Sequence, residues 1–406
     1  ASTFGYVFGT TEYDGGVRTV SYYTASATYT SYIPATLRNV IILDELVLQY
    51  GAFYATPIRN VVLPETLIAI QDKVFYNSDT LTSLSIPSSV ETFGTLIAAE
   101  CDSISTVTIE SLTFGTYMFQ NNISLTTASL LSAEAIPAYA FDGCTSLTMA
   151  NLNQSVDVSP CTSIGAYAFR NCSSLVTILL PNTIETIGAY AFYNCTALSL
   201  HLSSEQTTVL PTNLTTLGDY AFYNCDALEH ILLPANLSSI GTYVFAENDI
   251  LSTVTFKGTI LGTYMFYNDI SLKDLSLKDG TTNIPGHAFE SCTSLVYLQL
   301  PNTLTTISTY AFNNNSSLKT VVIPASVTTV SDHTFSNCSA LRYVTMNNTT
   351  IGAYMFYNCT MLVDVDMDHV TSIGEYAFYH CIAFQNKTLP NTLLTIGAYA
   401  FAQCYS

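Results

Sequence analysis

The chain has 406 residues, 49% of them hydrophobic and only 10% charged, with 11 Lys and Arg against 30 Asp and Glu for a formal charge of −19. A nucleic-acid partner needs clustered cations to displace counterions from phosphate, and the run from Lys73 to Lys257 holds only Arg170, so that partner is excluded. No stretch nears 18 consecutive apolar residues, so no membrane-inserted helix is expected, and Ala1-Ser2-Thr3 lacks the basic start and apolar run of a signal peptide.

In chain order, the first fifty residues are read as a capping repeat, residues 1–50. Phe4-Gly5-Tyr6-Val7-Phe8 is its leading copy, matching Ile240-Gly241-Thr242-Tyr243-Val244-Phe245. An insertion at about residues 10–31 carries the turn signal Asp14-Gly15-Gly16 and a run rich in Tyr, Thr and Ser, and is expected to be a hairpin shielding the first edge. Residues 51–406 then repeat one motif about 16 times. Taking one central aromatic per copy, from Phe53 and Phe75 to Phe378 and Phe401, thirteen of fifteen spacings are 21 to 23 residues. The exceptions are 28, ending at Phe169, and 30, ending at Phe222. The C-terminal end stops at Phe401-Ala402-Gln403-Cys404 with no altered final copy, and the natural chain is expected to continue past Ser406 to an anchor.

One copy shows the division of labour. Leu175, Ile178 and Leu180 alternate as in a short strand, and Pro181, which cannot donate to a ladder, ends it. Ile184 and Ile187 point inward, Gly188 permits a turn, and Ala191 and Phe192 fill the interior. No 23-residue turn can bury its own apolar side, so copies must stack into one long core with nearest-neighbour contacts. Parallel strands about 4.8 Å apart would give sixteen turns a length of about 75 Å and one parallel sheet along one side, joined by short helical or irregular turns.

The string Ile187-Gly188-Ala189-Tyr190-Ala191-Phe192-Tyr193-Asn194-Cys195, recurring at Ile373-Gly374-Glu375-Tyr376-Ala377-Phe378, resembles the BspA-like, or Treponema-type, leucine-rich repeat over nearly the whole chain. The resemblance implies a curved, right-handed leucine-rich-repeat solenoid. Relatives are mostly surface or secreted proteins of host-associated bacteria, with expansions in parasitic protists. It also implies an extracellular or cell-surface adhesion scaffold, and it supplies no catalytic residues.

The remaining constellations each have a structural and a functional reading. Ten of eleven cysteines sit three residues after the marker, where other copies hold Asn122, Asn248, Asp269, Asn315 or Ser78. Such a column wants a small polar group, expected to bond turn amides; disulfides or metal are the alternative. Cys161 falls outside the column and is expected to be the exposed thiol. Asp364, Asp366, Asp368 and Glu375 have the spacing of a calcium loop, but His369 stands where the sharp turn needs glycine, so a solvated acidic face competes with a calcium site. Histidines are scattered, with His287 and His333 in the tyrosine column, and no hydrolase elbow, phosphate loop or dinucleotide fingerprint occurs; no catalytic, cofactor or metal residue is assigned.

Tyrosine is abundant, at 28 residues with no tryptophan; eleven precede the marker by two and seven follow it directly. They form either a half-buried aromatic ladder or an exposed stripe for protein or glycan. Most outward strand positions are small (Ser83, Ser85, Thr106, Thr108, Thr127, Thr253, Thr255), and they become larger toward the C-terminus. Asp274, Tyr297, Gln299, Tyr343, Thr345, Asp364 and Asp366 are therefore the candidate ligand-binding residues. The expected partner is a protein or glycan on a host or neighbouring cell. The alternative is the chain itself, self-assembling into a filament or surface layer.

Overall fold

A computed structural model describes residues 12, 14–24, 27–152, 161–200, 208–385 and 388–405. It consists of two units, Ala1–Leu200 and His201–Ser406. Each is a stack of turns whose strands run parallel and in register. The predicted leading copy at residues 4–8 lies outside the described residues.

In the first unit, Ser83–Ile86, Thr106–Ile109, Thr127–Leu130, Met149–Asn151 and Thr177–Ile178 form the principal ladder. Register sets like on like: Leu84 beside Val107, Val107 beside Ala128, Ala128 beside Ala150. The inward residue of each strand is buried and its neighbours face out, as period-2 alternation requires. Ahead of this ladder, Gly16–Thr24 and Ala27–Pro34 pair antiparallel, with Gly16 opposite Pro34. In the second unit the principal ladder is in two parts: Thr208–Val209, His230–Leu233, Thr253–Phe256, Asp274–Ser276 and Tyr297–Gln299 form one sheet, and Thr320–Ile323, Tyr343–Met346 and Asp364–Asp366 form another.

The structure adds a second parallel ladder to the one expected sheet. Two-residue strands such as Ser163–Ile164 and Thr186–Ile187, or Thr306–Ile307 and Thr329–Val330, pair on the return stretch. The joining turns contain no helix among the described residues. Backbone conformation explains this. In each turn the residue two before the marker and the residue two after it take positive φ, as in Tyr117 at 56° and Asn121 at 58°. Left-handed residues interrupt a right-handed helix and re-aim alternate amides along the stack. Tyr117, Phe119 and Asn121 thereby donate to the carbonyls of Ala138, Ala140 and Asp142 in the next turn.

Positive φ costs a tyrosine on the order of 1–2 kcal/mol. Inter-turn hydrogen bonds and ring stacking, about 0.5–1.5 kcal/mol each, offset that cost. Tyr117, Tyr139, Tyr167 and Tyr190 stack at centroid distances of 4.4, 4.5 and 4.8 Å in the first unit. Beneath them Phe119, Phe141, Phe169 and Phe192 stack at 5.3–5.5 Å, fully buried. Glycine before the tyrosine answers close approach: a Cβ on Gly188 would lie 2.6 Å from the Ala166 nitrogen, so another residue would push the turns apart.

All the column cysteines but Cys404 are buried, and none is disulfide-bonded. The Asn members meet the expectation of amide contacts, with Asn122 Oδ1 accepting from the Cys101 amide and Asn248 Oδ1 from the Cys225 amide, both at 2.7 Å, but the thiols do not. The thiols donate to the marker carbonyl of the preceding turn, as in Cys144 Sγ to Phe119 O at 3.0 Å and Cys338 Sγ to Phe312 O at 3.3 Å. Asn315 Nδ2 and Ser78 Oγ do the same to Phe289 and Phe53. What unites Cys, Asn and Ser here is a hydrogen to give. Cys161 is also a correction: it is buried, not exposed. Ile164 pairs with Ile187, so Cys161 occupies the inward place that Ile184 holds one turn later.

Candidate binding surface

The seven residues singled out from the sequence all lie on the outward side of the second unit's principal ladder. Register brings Asp274 beside Tyr297, and Tyr343 and Thr345 beside Asp364 and Asp366. Thr345 is half-buried and the other six are exposed. The strand Thr320–Ile323 pairs with the second group, Thr320 with Tyr343 and Val322 with Thr345, and shares with Tyr297 and Gln299 the lining of one cavity.

Next to Tyr297 and Gln299 is an open cavity of about 540 Å³, lined also by Val296, Thr320, Val322 and Asn347. The Tyr297 hydroxyl donates to Gln299 Oε1 at 3.1 Å, and Ser276 Oγ donates to the same oxygen at 3.3 Å. These bonds hold the amide against the strand and leave its Nε2 hydrogens for a ligand. Tyr297, Val322 and Tyr343 are 53%, 57% and 52% exposed, a quantity of apolar area unusual on a sheet face otherwise lined with Ser and Thr.

Cations border this area. Lys273, Lys319 and Arg342 each precede a strand by one residue, and Lys257 and Lys278 follow the strand ends, so five of the chain's 11 basic residues flank it. Among the described residues none of the five forms an ion pair. Sequence reading missed them along with Val296 and Val322, although 273, 296, 319 and 342 share one place in the repeat and aligning the copies would have shown the column. Asp364 and Asp366 face outward, with Asp366 Oδ1 accepting from the Asp368 amide at 3.3 Å. No group of three or more His, Cys, Asp or Glu converges on a metal-sized site among the described residues.

Residues 47–160, 134–261, 201–314, 259–369 and 349–406 match the family described as BspA type leucine rich repeat region, in six copies. The fold is similar to a leucine-rich repeat protein from Bacteroides ovatus, at 25% identity and TM-score 0.50 over 69% of this chain and 80% of that one. A leucine rich cell surface protein from Faecalibacterium prausnitzii is 24% identical at TM-score 0.45, covering 80% of this chain and 94% of that one. The pneumococcal vaccine antigen PcpA is 15% identical at TM-score 0.39, covering 95% and 93%. No curated protein matches the chain. No helix among the described residues is long and apolar enough to cross a membrane.

Proposed function

The chain belongs to the BspA-type leucine-rich-repeat family, and we propose that it is a non-catalytic, extracellular or cell-surface binding scaffold whose partner is a protein. The observation that carries this reading is the strip Tyr297, Val322 and Tyr343, apolar and exposed, beside an open cavity and bordered by cations that form no ion pair among the described residues. Aromatic residues set in a rigid face and ringed by charge are the usual composition of a protein-binding centre. Asp274, Gln299, Thr345, Asp364 and Asp366 then form its polar rim. Adhesion to a host or neighbouring cell is the role that suits such a face.

The test is surface plasmon resonance against purified extracellular-matrix proteins, comparing the intact chain with the triple variant Tyr297→Ala, Tyr343→Ala, Asp364→Ala. Binding weakened at least tenfold by the triple, and unchanged by Ser83→Ala with Thr106→Ala in the first unit, supports the reading. Undiminished binding by the triple variant rules this face out.

One observation favours a second reading, self-assembly. In the first unit Ile41 pairs in register with Val62, and both are exposed together with Leu43. Light scattering across a concentration series separates the two readings. Particle growth abolished by Ile41→Ser with Val62→Ser would put assembly first.

A further inference from the structure

The residue directly after the marker is Tyr357 and Tyr379 in two successive turns of the second unit, but Asn313 and Ser336 in the two turns before them. Between Tyr267 and Tyr357 this column holds no ring for three turns, at Glu290, Asn313 and Ser336, and a cavity of about 540 Å³ opens beside the last two, lined by Tyr310, His333, Tyr354, Tyr357, Asn313, Ser336 and Asn337 among others. At about 4.8 Å per turn, the gap is wide enough to accept one six-membered ring edge-on between the rows.

Its walls differ in chemistry. Tyr357 is stacked on Tyr379 at 5.1 Å with planes 5° apart, so one ring face is covered. On its other side stands the turn of the buried Ser336, which carries no ring in this column, while the Tyr354 ring leans against Tyr357 at 5.8 Å with planes 47° apart. Along the side run Tyr310, His333 and Tyr354, stacked face to face at 4.6 and 4.5 Å, so that they present edges and polar tips. Burial holds the His333 imidazole below its ordinary pKa, so it is neutral at pH 7 and can accept as well as donate.

The floor is a polar network. Ser336 Oγ and Asn337 Nδ2 both donate to Asn313 Oδ1, at 2.7 and 3.0 Å, and Asn313 Nδ2 donates to Glu290 Oε1 at 2.7 Å. Asn337 Oδ1 accepts from Asn358 Nδ2 at 3.0 Å. Each amide nitrogen carries two hydrogens and each amide oxygen two lone pairs, so these partners fix the side chains while leaving a second hydrogen on Asn313 and on Asn337.

We propose that this gap is a carbohydrate site that takes a neutral hexopyranose residue. One apolar ring face, held amides and hydroxyl-bearing edges in a single slot suit a molecule with a C–H face and a rim of hydroxyls. The C–H face lies on Tyr357 and the hydroxyls reach Asn313, Asn337 and His333. A purely apolar ligand would strip water from the amides without replacing their hydrogen bonds. The site is separate from the strand face and does not depend on it.

Saturation-transfer NMR tests the assignment. The probes are the methyl glycosides of glucose, galactose, mannose and N-acetylglucosamine, each at about 10 mM, enough to populate a site with a Kd near 1 mM. N-acetyltyrosinamide serves as an aromatic comparator. Transfer to at least one glycoside is expected. It is lost in Ser336→Tyr, which fills the gap with the ring that the next turn carries as Tyr357, and in Tyr357→Ala, which removes the platform; thermal melts confirm that each variant folds. The assignment is overturned by transfer to no glycoside, by transfer to the comparator alone, or by transfer that survives in either folded variant.

Discussion

Arg170 grips Asp142 of the preceding turn with both arms of its guanidinium, Nε to Oδ1 at 2.8 Å and Nη2 to Oδ2 at 2.7 Å, while lying 4.9 Å above the Tyr167 ring. The carboxylate is 3% exposed and also accepts from Gln120 Nε2 at 3.0 Å. Because Phe141 and Phe169 are 28 residues apart, this pair joins the turns that flank the enlarged loop. Removing the cation leaves an uncompensated buried charge, so Arg170→Ala is expected to cost about 3 kcal/mol in urea unfolding. Arg170→Lys should recover only part, because an ammonium cannot reproduce the fork. A cost under about 1 kcal/mol would place the pair with exposed ion pairs instead.

Asp269 breaks the rule of its column. Neighbours donate to a carbonyl, whereas an ionised Asp269 has nothing to donate; its Oδ1 accepts from the Asn248 amide, and its buried Oδ2 has no partner. Burial raises its carboxyl well above the ordinary range. A raised carboxyl pKa means that the folded state holds the proton longer than the unfolded one. The associated stability is present below the unfolded pKa and is lost as pH rises through the folded value. Asp269→Asn supplies the donor found at 248 and 315, and should raise the melting temperature at pH 7 while leaving it little changed at pH 3.5. Equal melting temperatures at pH 7 would refute this.

His333 gives the opposite sign. Desolvation lowers its pKa, so protons bind the unfolded chain first as the pH falls. The contribution is present above the unfolded value and fades through the acid side. His333→Tyr, which restores the residue found in most turns, should lessen the loss of melting temperature between pH 7 and pH 5. An unchanged slope over that interval would count against it.

Thiol chemistry should be almost silent. Burial pushes Cys144 and Cys338 up to about 12 and Cys161 to about 11, far from a reactive thiolate. Only Cys404 among the cysteines is partly exposed. Ellman's reagent at pH 8 is expected to titrate one thiol in the folded chain and all eleven in guanidinium. Prompt reaction of Cys161 would contradict its buried place.

A hydrogen-bond deletion separates packing from donation in the cysteine column. Cys195 Sγ lies 3.1 Å from Phe169 O. The same carbonyl accepts from the Cys172 amide at 3.1 Å, so Cys195→Ala removes one of its two bonds and should cost about 0.5–1.5 kcal/mol, whereas Cys195→Asn, the residue used at 122, 248 and 315, should cost clearly less. Equal losses would mean that volume, not the donor, sets the column.

Much of this architecture was legible because stacked copies speak for one another. Phe192 recurring at fixed spacing announced a core column, and Leu175, Ile178 and Leu180 announced a strand. The second ladder was harder to foresee, since Thr186–Ile187 is two residues long and has no alternation to read. Positive φ at Tyr167 runs against the preference of a bulky residue and follows from inter-turn bonding, its amide donating to Ala189 O, which a single copy does not reveal. Cys161 was misplaced because the enlarged loop broke the count from the marker, whereas counting back from Ile164 finds it. At the candidate surface, Tyr297 and Tyr343 stood out against Ser and Thr, but the flanking lysines belong to a column that emerges only when whole turns are superposed.

Turns this alike create a hazard of frame. A ladder that sets Ile164 on Ile187 would accept Ile136 on Ile187 nearly as well, with one turn looped out, because every layer offers the next the same buried template. Nearest-neighbour energies alone cannot tell a complete stack from one that has skipped a step. The irregular contacts can. Arg170 finds its carboxylate only on the turn before it, Asn268 Nδ2 reaches Glu247 Oε2 at 2.7 Å, and Thr242 donates its amide to Asp219 Oδ1 at 2.7 Å. These side chains act as page numbers, and a chain whose copies were made perfectly uniform would be expected to fold into a mixture of misthreaded stacks.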